Sequence, residues 1–143
     1  MFKRTILIIV GVGVALFVLM QLVPYGRDHV NPPVTQQVVW DSPQTEALAR
    51  RACYDCHSNE TTWPWYSNIA PGSWLVQHDV EEARMYMDFS EQDNSSIRAD
   101  ELIREINSGK MPPFQYTIIH SEARLSDAEK KQLIEGIQKT FTQ

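Results

Sequence analysis

Residues Arg50–Asn59 read RRACYDCHSN and hold both cysteines of the 143-residue chain, with a histidine directly behind the second. Upstream, DSPQTEALARRA offers Ser42 as an N-cap and Pro43 for the first helical position, so a helix is predicted to run straight into Cys53. Downstream, SWLVQHDVEEARMYM reads as a helix capped by Ser73, with Val76, Val80, Ala83 and Met87 on one apolar stripe. SIRADELIREINSG presents Ile97, Leu102, Ile103 and Ile106 before Gly109, the residue type that takes a left-handed C-terminal position. Ser126–Glu129, SDAE, is a capping-box signature and opens a last helix with Leu133, Ile134, Ile137 and Phe141 on one face. No alternating pattern competes with these helices, and the fold class expected is all-α.

Working outward to the N-terminus, Thr5–Val23 reads TILIIVGVGVALFVLMQLV, nineteen residues without a charge. At 1.5 Å per helical residue this comes close to crossing a hydrocarbon core of about 30 Å. It is a membrane span or a signal peptide. Lys3 and Arg4 precede it and no comparable basic cluster follows closely, which leaves the N-terminus cytoplasmic and sends the rest across the membrane. The exit LMQLVPYG carries bulky residues where a cleavage site needs small ones, so residues 1–23 read as an uncleaved signal anchor in the inner membrane. Residues 24–39, with three prolines and no period, read as an extended tether in which His29 is a solvated loop residue. The globular part is then 40–143, long enough for a single core. Beyond Lys3 and Arg4 the chain has 11 basic and 18 acidic residues, a net of −7, which argues against nucleic acid as a partner.

Three chemistries use two close cysteines. A zinc site needs further ligand cysteines, and the chain has none. A thioredoxin-like redox pair expects alternating strands and helices. Covalent haem attachment fits each position: Cys53 and Cys56, about one helical turn apart, would form thioethers to one haem c, and His57 would be the proximal ligand of its iron. A plain external disulfide stays open beside it.

For the sixth coordination position the candidates are Met85, Met87, Met111, His78 and His120. Gly109–Phe114, GKMPPF, is the most suggestive, because its prolines forbid helix and hold Met111 on a stiff loop whose backbone needs little further ordering. His78 is the rival, on a helix face distinct from the Val76 stripe. TTWPWYSNIAPGSW brings Trp63, Trp65, Trp74 and Tyr66 close behind His57 in sequence, as core or as a haem wall. Arg50 and Arg51 are candidates to pair with haem propionates.

The order CYDCH, KMPPF, RLSDAEKKQLIEGIQ resembles that of small class I c-type cytochromes. A closer resemblance is to the membrane-anchored bacterial proteins of the single-haem "haem-binding domain" family, carried by RRACYDCHSNETTWPWYSNIAPGSWLVQHDVEEAR and GKMPPFQYTIIHSEARLSDAE, which cover most of the chain from Gln44 onward. It implies a cytochrome c-like helical domain around one covalent haem. The function expected is that of an extracytoplasmic electron carrier with His/Met-ligated iron, working with redox partners of a respiratory chain and not as an enzyme. The alternative is a haem-based gas or redox sensor, or an accessory binding module, with an open or displaceable sixth position.

Overall fold

The computed structural model describes residues 2–142. Among them are seven α-helices and no strand: α1 (Phe2–Met20), α2 (Pro43–Ala52), α3 (Tyr54–His57), α4 (Gly72–Tyr86), α5 (Ala99–Asn107), α6 (Phe114–Ile119) and α7 (Asp127–Phe141). Short 3-10 turns stand at Trp65–Asn68 and Ser121–Ala123. The all-α expectation holds.

The chain forms two compact units, one of residues 1–30 and 63–81, the other of 31–62 and 82–143. In the first, α1 is apolar on every face from Thr5 onward and none of its residues is buried; by length and composition it is long and apolar enough to cross a membrane. The Gln21 side chain bridges both backbone groups of Ala70, donating to its carbonyl at 2.9 Å and accepting from its N–H at 3.1 Å. Residues 24–39 contain no helix or strand but are not free of contacts. His29, expected to be solvated, stacks on Trp63 with ring centroids 4.9 Å apart and bonds Ser67 through Nε2.

The second unit has the hydrophobic core, in which α7 packs on α2 and α5. Leu133 and Ile137 share this core with Leu48, Ala49, Ala52 and Ile106, and Trp40, Tyr54, Phe89 and Phe141 form an aromatic cluster within it. Trp40 Nε1 donates to the Tyr54 hydroxyl at 3.1 Å, so the indole's polar end is satisfied inside the cluster. Gly136 sits against Thr45, which is how α2 and α7 approach closely.

Local signals set most helix ends. Ser42 caps α2 by accepting from the Thr45 N–H, and Pro43 takes the first position. Ser126 and Glu129 form both halves of the capping box of α7. Gly109, at φ +74°, follows the end of α5 in the left-handed region. Ser73 does not cap α4, contrary to expectation. The helix begins at Gly72, and the Ser73 N–H already bonds the Ile69 carbonyl at 3.0 Å, so the turn before it supplies the start. The double proline after Met111 also stops nothing for long, because Pro113 is the N-cap of α6 and proline suits a helix start.

Candidate functional site

Cys53 ends α2 and begins α3, so the Cys-x-x-Cys-His run occupies one isolated helical turn. Its winding is fixed by the Cys53 carbonyl, which accepts from the N–H groups of Cys56 at 3.2 Å and His57 at 2.9 Å. This puts the two sulfur-bearing residues a turn apart with the histidine next along the chain. Neither cysteine is in a disulfide. Burial, and the neighbouring Cys56, push the Cys53 thiol up to about 12, so it stays neutral at physiological pH.

His57 is held from two directions. Its backbone carbonyl accepts from Phe89 N–H at 2.9 Å, and its Nδ1 lies 3.1 Å from the carbonyl oxygen of Met87. A carbonyl can only accept, so Nδ1 carries the proton and Nε2 keeps its lone pair. Burial pushes the His57 pKa below its ordinary value, against the hydrogen bonds to the Met87 and Ala83 carbonyls, which favours this neutral ring. A metal-binding imidazole is characteristically oriented this way, one nitrogen bonded to a carbonyl and the other presented.

The turn rests on a tightly bonded loop. Ser58 Oγ donates to the Tyr54 carbonyl at 2.7 Å, and the Asn59 N–H donates to Ser90 Oγ at 2.9 Å. The Arg84 guanidinium spans the Ser58 carbonyl and Thr61 Oγ1 at 2.9 Å each. Asp55, between the cysteines, accepts from the Thr62 N–H at 2.9 Å and from the Tyr116 hydroxyl at 2.7 Å.

Met111 lies in the same unit as the Cys-x-x-Cys-His turn, 38% exposed, and its N–H bonds the Glu105 carbonyl at 3.2 Å. Close after it Phe114, Ile118 and Ile119 stand exposed on α6, and Tyr116 of the same helix reaches Asp55. His120 stacks on Tyr116 at 4.3 Å and bonds Glu122, with 2.9 Å between Nδ1 and Oε1. His78 is exposed on α4 and belongs to the other unit, as do Trp63, Trp65, Tyr66 and Trp74.

Arg50 and Arg51 are already engaged by carboxylates. Arg50 bonds Glu46 and Glu60 and lies over the Tyr54 ring at 4.4 Å, and Arg51 bonds Glu129. Sequence reasoning missed Asp55 and Tyr116, although an acidic residue inside the motif and a tyrosine close behind the Met-Pro loop were both in view. It also missed the Met87 carbonyl, for which no side-chain signal exists.

The donors fit a haem. The turn supplies one correctly oriented imidazole and two thiols, and among the described residues no three His, Cys, Asp or Glu converge on a point that a bare ion would need. An iron that brings its own macrocycle asks the protein for few ligands, which a single turn with one histidine can begin to supply. Such a helical domain, built around a Cys-x-x-Cys-His turn whose histidine bonds a backbone carbonyl through Nδ1, is of the haem-binding class. The family model described as "Haem-binding domain" matches residues 15–139, and the chain belongs to that family. No curated protein and no solved structure matches it. Its cofactor is haem.

Proposed function

We propose that this chain is a membrane-tethered, extracytoplasmic electron carrier with one covalent haem c. Cys53 and Cys56 would carry the two thioether links, His57 the proximal ligation through Nε2, and Met111 the sixth position. The observation that carries the reading is the Nδ1 bond of His57 to the Met87 carbonyl, which leaves the ligating nitrogen in the tautomer that iron requires. Bound haem would supply a one-electron couple whose potential His/Met ligation raises.

Met111 is preferred to His78 because it belongs to the unit of the Cys-x-x-Cys-His turn, and because the Tyr116–Asp55 bond ties the helix behind it to that turn. The chain's own residues would hold and orient the haem without acting on a substrate. Lys3 and Arg4 in the first turn of α1, ahead of its apolar run, support an uncleaved anchor with the haem side outside the cytoplasm, beside respiratory redox partners.

The test is expression of the full chain in a host with haem c maturation machinery. The denatured polypeptide should keep its haem on a gel and gain the mass of one haem. Extraction of the haem by acid and acetone would reject the covalent link.

A further inference from the structure

From Trp63 to His78 the chain reads WPWYSNIAPGSWLVQH, sixteen residues with no Asp, Glu, Lys or Arg and three of the four tryptophans. Two of its large apolar side chains are turned outward in the loop: Trp65 is 76% exposed and Ile69 41%. A charge-free stretch with an outward indole is unusual for a surface meant only for water, where solubility is kept by charged residues and few exposed tryptophans.

The position of this stretch relative to α1 is fixed within their unit. The helical winding of α1 continues past Met20, through N–H bonds from Gln21, Leu22 and Val23 to carbonyls three or four residues back. Gln21, one residue beyond the end of α1, holds both backbone groups of Ala70, the neighbour of Ile69. Arg27 locks the Gln21 end in turn, donating to its carbonyl at 3.0 Å and to its Oε1 at 2.8 Å. The uncharged part of the helix, from Thr5 to Met20, has sixteen residues, about 24 Å at about 1.5 Å each, and the winding through Val23 brings it close to the hydrocarbon thickness of about 30 Å, so Gln21 falls in the last turn, near where lipid tails give way to headgroups. The Ile69–Ala70 turn is therefore carried at that level too. Leu22 and Val23, also exposed, lie beside the tie in sequence. Tryptophan is the residue that favours this boundary, with an apolar ring for the acyl chains and an N–H for the wet side.

We propose that the Trp65–Ile69 turn is a membrane-interface seat, inserting Trp65 and Ile69 into the headgroup–acyl boundary of the bilayer that α1 crosses, at the C-terminal end of that helix. The seat rests on the reading that α1 remains in the bilayer. Its occupant is lipid: the surface is continuous with a lipid-facing helix, and the Gln21–Ala70 bridge sets its depth.

The test uses the full chain in phosphatidylcholine–phosphatidylglycerol vesicles, with a nitroxide on Trp65→Cys or on Ile69→Cys. The background is the labelled chain without an added cysteine. Collision with oxygen, which partitions into lipid, is compared with collision with a water-soluble nickel chelate. Leu16→Cys in α1 marks the hydrocarbon and Lys131→Cys marks water. Labels at 65 and 69 should give an oxygen-to-nickel ratio several-fold above that at 131 and below that at 16. A ratio equal to that at 131, with 16 still deep, would overturn the seat and leave the anchor standing. A label at 16 that reads as aqueous would overturn both. Labels at 65 and 69 shielded from both reagents would mean burial against protein, a second copy included, and would also overturn the seat.

Discussion

The Tyr116 hydroxyl donates a 2.7 Å hydrogen bond to Oδ2 of Asp55, one of the two residues between the cysteines, and Tyr116 lies five positions beyond Met111. One bond thus links the helix following the Met-Pro loop to the turn that holds Cys53, Cys56 and His57. The link is specific at both ends. Asp55 uses its other oxygen for the Thr62 N–H, and the Tyr116 ring is stacked on His120. Burial and the adjacent Asp55 carboxylate push the Tyr116 hydroxyl well above the usual tyrosine range, so it remains a donor at any physiological pH.

Tyr116→Phe removes that donor without changing ring volume. Denaturant unfolding should register a loss of about 1–3 kcal/mol, the range for leaving one partner of a part-buried hydrogen bond unsatisfied. Haem should stay bound, and, with Met111 in the proposed sixth position, the weak sulfur-to-iron charge-transfer band that this ligation would give the oxidised form should fade as the Met111 loop loosens. An unchanged band together with unchanged stability would show that the bond positions nothing.

Packing of α2 on α7 depends on Gly136, where an added Cβ would overlap the Thr45 side chain, itself 2% exposed. On propensity alone Gly136→Ala should stabilise α7 by up to about 1 kcal/mol. Overpacking a tight core costs about 1–3 kcal/mol and should win, because Thr45 is fixed by the 2.9 Å contact of its hydroxyl with Ser42 Oγ. A lower midpoint in thermal or urea unfolding is expected, and a raised midpoint would mean that the helices separate at little cost.

How far the sequence could be read follows the range of each interaction. Ser42 with Pro43, Ser126 with Glu129, and Gly109 act within a few residues, so composition and spacing were enough to place the ends of α2, α5 and α7. Spacing also marked Cys53, Cys56 and His57 as a unit, since one helical turn brings them together. What escaped was carried by distant partners. The Met87 carbonyl orients His57 across 30 residues, Tyr116 reaches Asp55 across 61, and Gln21 holds Ala70 across 49. The start of α4 was misread because Ser73 looks like a cap in isolation, whereas the preceding turn already bonds its N–H.

Acid should weaken the second unit through Glu129. The Ser126 backbone N–H, Arg51 and the Ser126 hydroxyl hold its carboxyl down to about 2, below an ordinary glutamate. The folded value lies under the unfolded one, so the unfolded chain takes the proton first as pH falls. The stabilisation is therefore complete above the ordinary glutamate value of about 4.3 and is lost progressively between there and about pH 2. Unfolding midpoints across that window should fall less steeply in Glu129→Gln than in the parent. Equal slopes would mean that other carboxylates carry the acid response.

The sixth ligand is decided by a pair of substitutions. Met111 and the Cys-x-x-Cys-His turn share one compact unit, whereas His78 is an exposed residue of the other. Met111→Ala should remove the sulfur-to-iron band, lower the reduction potential and open the iron to carbon monoxide, because a thioether ligand both raises the potential and occupies the position a gas would take. His78→Ala should leave all three unchanged. Met111 is 38% exposed, so its replacement by alanine should cost less stability than truncating a buried methionine, and the spectral change can be read on folded protein. The reverse pattern would move the ligand to His78. An unaltered spectrum in both variants, with carbon monoxide binding to the parent, would mean an open sixth position and would favour a gas sensor over an electron carrier.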